Sequence, residues 1–161
     1  MPNFSINIYL KIIFFISLIS ILSALFIEHF LGHQPCNLCL IERIPYIFAL
    51  ILIAFIFIFK KNRKFLIVLL ILNFIFSLTI SVYHYGIEQG FFQESAVCNI
   101  KNFAESVTKE DLLRQLNEKN ISCKDVTFKI FGLSLTSINI VISLLFIITL
   151  ANIYIKYEKN K

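Results

Sequence analysis

Four stretches of this chain contain no charged side chain: 12–27, 44–59, 65–82 and 130–155. A bilayer core of about 30 Å needs about 20 helical residues. The last stretch meets that length alone. The first two reach it by snorkelling Lys11 and Lys60 to the interface. Lipid offers no partner to an open backbone, so helices are the spanning form for stretches so poor in Gly and Pro. Charged residues make up 16% of the chain, against roughly 25% in soluble domains. The predicted fold is an all-α integral membrane four-helix bundle, with residues 1–161 as a single membrane domain. The expected helices are 8–30, 41–59, 65–85 and 131–155, joined by an outer turn 31–40, a basic link 60–64 and a long outer loop 86–130. No small-x-small pattern follows the first stretch and Glu28-His29 stands there instead, so it is expected to span rather than be cleaved.

The net charge of +5 does not form one patch, which argues against nucleic-acid binding. Lys60, Lys61, Arg63 and Lys64 fill the second link, and Lys156, Lys159 and Lys161 close the chain. The turn 31–40 has no Lys or Arg. The positive-inside rule then puts both termini and the link 60–64 in the cytoplasm. Between Gly86 and Lys129 six basic residues face seven acidic ones, so the outer placement of this long segment stands. Within it, Thr108 and Asp111 resemble a capping box, with Val107 and Leu112 as a hydrophobic staple. They predict a short helix to about Lys119, its Leu112, Leu113 and Leu116 on one side. Pro45 is expected in the first turn of the second helix, where a missing N–H costs least.

All four cysteines, Cys36, Cys39, Cys98 and Cys123, then lie outside, where a bacterial envelope is oxidising. Four cysteines allow three pairings; proximity favours Cys36–Cys39 and Cys98–Cys123. A CxxC closes too small a ring to stabilise much, so its use is redox or metal binding. The following helix N-terminus favours a thiolate there. Zinc sites pair two close-spaced knuckles, and the second pair here is too widely spaced, so no metal is expected. Cys98 and Cys123 read as a staple or, beside a CxxC, as a partner in thiol–disulfide exchange. Arg43, one turn past Cys39, is expensive at the membrane edge unless used. It could stabilise a Cys39 thiolate, bond a quinone carbonyl, or snorkel to Glu42 or lipid phosphate. His84 reads as an interfacial histidine bonding backbone or water. His29, His33, Glu28 and Glu88 read as outer-edge polar groups.

The run Pro35-Cys36-Asn37-Leu38-Cys39-Leu40-Ile41-Glu42-Arg43-Ile44-Pro45-Tyr46, with Ser23-Ala24 before it, resembles the disulfide bond formation protein B (DsbB) family. So do Tyr83-His84-Tyr85-Gly86-Ile87-Glu88 and Phe131-Gly132-Leu133-Ser134. The resemblance spans nearly the whole chain and includes the DsbI branch. It implies a bacterial inner-membrane oxidoreductase that reoxidises a periplasmic thioredoxin-like partner, DsbA-like, and passes electrons to a membrane quinone, ubiquinone or menaquinone. By position, Cys98 would be attacked by the partner, Cys123 would exchange with Cys36, Cys39 would face the quinone, Arg43 would hold it, and His84, in the family's YHxGxE element, would lie near its head. Ile138 stands where the family commonly has an aromatic residue, and the chain has no Trp. The rival readings are a reductant exporter, which needs cysteines in or below the membrane, and an adaptor merely braced by disulfides.

Overall fold

The computed structural model describes residues 2–59, 62–93, 98, 123, 129–130 and 132–159. The expected short helix at 108–119 lies outside these residues. Four helices dominate: α1 (Pro2–His29), α2 (Asn37–Ile58), α3 (Arg63–Glu88) and α4 (Leu135–Lys159). All four are long and apolar enough to cross a membrane. At a rise of 1.5 Å per residue the shortest spans about 33 Å, more than a bilayer core. The chain runs up and down: α1 packs on α2, α2 on α3, and α3 on α4. The end of α1, the start of α2, the end of α3 and the start of α4 therefore gather at one end of the bundle.

Large apolar side chains cover much of the surface, and several polar ones are buried. Phe15, Phe26, Phe30, Phe76, Leu145 and Ile148 are exposed, while Ser17, Ser77, Ser81, Asn139 and Ser143 are buried. A soluble protein cannot tolerate that inversion, but a membrane protein uses it. Lipid matches the outer apolar side chains, and small or polar groups let helices approach and bond. Ser77 and Ser143 meet at 3.2 Å where α3 and α4 pack together. Below them Phe74 packs edge-on to Phe146, with ring centres 4.8 Å apart, and Tyr46 contacts the same Phe74. Leu10, Ile53, Ile67 and Leu70 complete the apolar core. At the far end, Arg63 Nη2 donates to Asn7 Oδ1 at 2.5 Å, tying α3 to α1.

Several expected boundaries are corrected. α2 starts at Asn37, not 41, because Cys36 caps it: the Cys36 Sγ accepts the N–H of Cys39 at 3.3 Å. The CxxC is thus the first turn of the helix, not the turn before it. Pro45 in consequence lies inside α2, two turns in, and removes the N–H that would bond to the Ile41 carbonyl. α3 runs on to Glu88. α4 starts at Leu135 rather than 131, behind a small antiparallel hairpin that pairs Lys129 with Ser134 and Ile130 with Leu133. Gly132, at φ 83°, adopts the left-handed backbone that a hairpin turn demands and a helix forbids.

Asn139 joins three helices. Its Nδ2 donates to Glu42 Oε2 at 3.0 Å and to Ser81 Oγ at 2.7 Å, and its Oδ1 accepts from the Tyr46 hydroxyl. Replacing it by Leu orphans buried groups on α2 and α3. Asn139→Leu is expected to cost about 1–3 kcal/mol of stability, read as a lower thermal midpoint of the detergent-purified chain.

Candidate active site

Cys36 and Cys39 stand at the head of α2 as free thiols, their Sγ atoms 2.8 Å apart. The third atom of the cluster is His84 Nε2, 3.5 Å from Cys36 Sγ. His84 projects from the last turns of α3 and is only 2% exposed. Its Nδ1 faces Glu42 Oε1 at 2.9 Å, and the other Glu42 oxygen is held by Asn139. The result is a buried line of thiol, imidazole, carboxylate and amide. With Nδ1–H directed at the carboxylate, the Nε2 edge is turned to sulfur. Thr136 extends the line. Its hydroxyl donates to Glu88 Oε1 at 2.6 Å and lies 3.4 Å from His84 Nδ1.

This network makes Cys36 a good nucleophile. The hydrogen bond from the Cys39 thiol is the main force that draws the Cys36 thiol down to about 5. Burial opposes it, and the neighbouring His84 ring adds to it. The Cys39 N–H that Cys36 Sγ accepts at the start of α2 acts in the same sense. At neutral pH the sulfur is therefore a thiolate, the form that attacks disulfides.

The second cysteine pair is at hand. Cys98 and Cys123 form a disulfide, with Cα atoms 5.9 Å apart. Both are buried in one cluster with Cys36, Leu38 and Ile87. Asn37 Nδ2 donates to the Cys98 carbonyl at 3.4 Å, so the residue between the two thiols touches the far pair directly. Gly86 secures the turn at the end of α3. Its carbonyl accepts the N–H of Phe91 at 2.8 Å and of Phe92 at 3.2 Å, and a Cβ there would stand 2.2 Å from the Phe92 ring.

Arg43 lies at this same end, but its partner is not Glu42. Its Nη1 donates to Glu28 Oε2 at 2.6 Å, pinning α2 to the end of α1. Glu28 is thus an ion-pair partner rather than a plain edge group. His29 Nδ1 bonds the Leu25 carbonyl of its own helix at 3.0 Å, apart from the sulfur cluster. Glu42, Thr136 and Asn139 escaped the sequence reading as site residues. A signal was there: a carboxylate in a spanning helix is costly and marks function by default.

Chemically, the arrangement can run dithiol–disulfide exchange. It holds a reactive thiolate, a second thiol touching it, a ring able to carry a proton, and a disulfide in the same cluster. The comparisons agree. The family model described as disulfide bond formation protein DsbB matches residues 7–153. The uncharacterized protein RP370 of Rickettsia prowazekii (strain Madrid E) is 27% identical over 148 residues, covering 91% of this chain and 86% of that protein.

The Cys36 thiolate sets a pH test. In the reduced chain, alkylation at Cys36 followed by mass spectrometry is expected to rise through a midpoint near 5 and to be flat at neutral pH. Cys39→Ala removes the main stabilising bond, so the midpoint moves up toward an ordinary thiol's, about 8.5.

Proposed function

Because the chain belongs to the DsbB family, we propose that it is a quinone-linked thiol oxidase of the bacterial inner membrane, reoxidising a periplasmic DsbA-like dithiol protein. The observation that carries this reading is the packing of the Cys98–Cys123 disulfide against the Cys36–Cys39 thiols in one cluster. Two couples in contact allow electrons to pass by exchange alone. The whole of 1–161 acts as one membrane unit, with the cysteine end facing the periplasm and both termini in the cytoplasm. Arg63 and Lys64 at the start of α3 and Lys156 near the end of α4, at the opposite end of the bundle, support that orientation.

The partner's thiolate attacks Cys98, giving a mixed disulfide and releasing Cys123. The partner's second thiol then resolves the mixed disulfide, leaving it oxidised and Cys98 and Cys123 reduced. The Cys123 thiolate exchanges with the oxidised Cys36–Cys39 pair by attacking Cys36. Cys98 closes on Cys123, and two electrons now reside on Cys36 and Cys39. A bound quinone accepts two electrons and two protons. The residues at this end fit such a group: a sulfur pair at the lipid edge, the Arg43–Glu28 pair, and the buried His84 and Glu88. Cys39 presents the outgoing sulfur, Arg43 orients, and His84 with Glu42 holds the proton at the Cys36 Sγ edge.

Purified full-length protein, quinone and a reduced thioredoxin-like substrate test this directly, followed by quinone absorbance. The unaltered chain is expected to turn over, and Cys36→Ser or Cys39→Ser to abolish quinone reduction. Cys98→Ser should lose turnover of the partner protein. A Cys98→Ser protein working at the normal rate removes the relay.

A further inference from the structure

The cluster at the head of α2 carries a chemistry that disulfide exchange does not use. Cys36 Sγ, Cys39 Sγ and a His84 ring nitrogen lie within 4.8 Å of one another. Tetrahedral zinc has bonds of roughly 2.3 Å to sulfur and roughly 2.0 Å to nitrogen, so it needs S···N edges of about 3.6 Å and S···S edges of about 3.8 Å. The Cys36 Sγ to His84 Nε2 separation is already 3.5 Å. The two sulfurs, at 2.8 Å, have to open by about 1 Å, a small rotation of one side chain.

The surroundings are those of a built site. Imidazoles that ligate metals almost always give their other N–H to a carboxylate or carbonyl, which fixes the tautomer and raises the ring's basicity. Here Glu42 takes that place on Nδ1, itself held by Asn139. Glu88 is an independent pointer. Its side chain is 6% exposed, and its Oε1 lies 3.9 Å from the same Nε2. Its Oε2 is buried with no hydrogen-bond partner among the described residues.

We propose that the reduced Cys36–Cys39 pair and His84 Nε2 form a redox-gated site for a soft divalent cation of the zinc or cadmium class. Two thiolates and one imidazole select such ions over magnesium or calcium. The fourth position is left for water or Glu88. Binding displaces the protons still held on the thiols and on the Nε2 edge, and no electron moves. The site exists only in the reduced form, because a disulfide leaves no thiolate to coordinate. A cation held there blocks formation of the Cys36–Cys39 bond and arrests the chain in its reduced state. Nothing in this depends on the electron acceptor, so it stands apart from the oxidase reading.

The probe is Cd²⁺, added to the full chain carrying Cys98→Ser and Cys123→Ser, in detergent, with helix content checked by circular dichroism. The reduced protein is expected to bind one equivalent, read from the ultraviolet sulfur-to-cadmium charge-transfer band. Oxidation of Cys36–Cys39 to the disulfide should erase the signal. Glu42→Gln should weaken binding about 10–100-fold, and His84→Ala at least as much. Cadmium NMR of the chain with His84 and Glu42 intact should show a two-sulfur, one-nitrogen environment, which needs neither variant to fold. A reduced, thiol-titratable protein that gives no saturable band would overturn the proposal. So would sulfur-only coordination, or affinity unchanged by both substitutions.

Discussion

The contact between Glu42 and His84 is what the rest of this end depends on. Both are buried in a bundle whose outside is apolar, where an isolated carboxylate or imidazolium would be expelled or neutralised. Each is tolerable because the other is 2.9 Å away. The pair cannot form unless α2 and α3 are in register, and Asn139 of α4 must close over the second carboxylate oxygen. Three helices are thus locked by one polar chain. The same chain turns the Nε2 edge of His84 to the Cys36 sulfur, so the element that orders the bundle also conditions the nucleophile.

That economy explains the placement of the cysteines. Under the proposed function, a redox couple between a water-soluble protein and a lipid-soluble acceptor has to sit where the two phases meet. The head of a spanning helix is such a place, and its N-terminal dipole favours the thiolate. Cys98 and Cys123 pack onto that head, with Asn37 reaching across to the Cys98 carbonyl. Arg43 and Glu28 brace the neighbouring corner between α1 and α2. The far end of the bundle carries ordinary core packing, as expected of a scaffold.

Much of this was legible in the residues. Charge-free stretches of spanning length gave the four helices, and proximity gave the Cys98–Cys123 pairing. The spacing of polar residues carries more. Cys39, Glu42 and Tyr46 on α2, Ser77, Ser81, His84 and Glu88 on α3, and Thr136, Asn139 and Ser143 on α4 recur at three or four residues. Each is a polar stripe on one helical face. In lipid such stripes can only face each other, so Glu42 and Asn139 were readable as interior residues. The start of α2 was misplaced because its cap is a thiol, outside the usual Ser, Thr, Asp and Asn set. The hairpin before α4 was hidden by an apolar run that reads as helix until Gly132 takes a positive φ. The Arg43–Glu28 pair was not legible, since it joins residues fifteen apart in the chain on two different helices.

The central claim is that Cys36 and Cys39 hand their electrons to a lipid-borne acceptor. Membranes bearing the full chain, progressively depleted of quinone while a thiol substrate is supplied, test it most directly, with free thiols trapped by alkylation and located by mass spectrometry. The account predicts that Cys36 and Cys39 accumulate as thiols as quinone falls and return to the disulfide when it is restored. A pair that stays oxidised throughout would contradict it and leave the cysteines as mere braces.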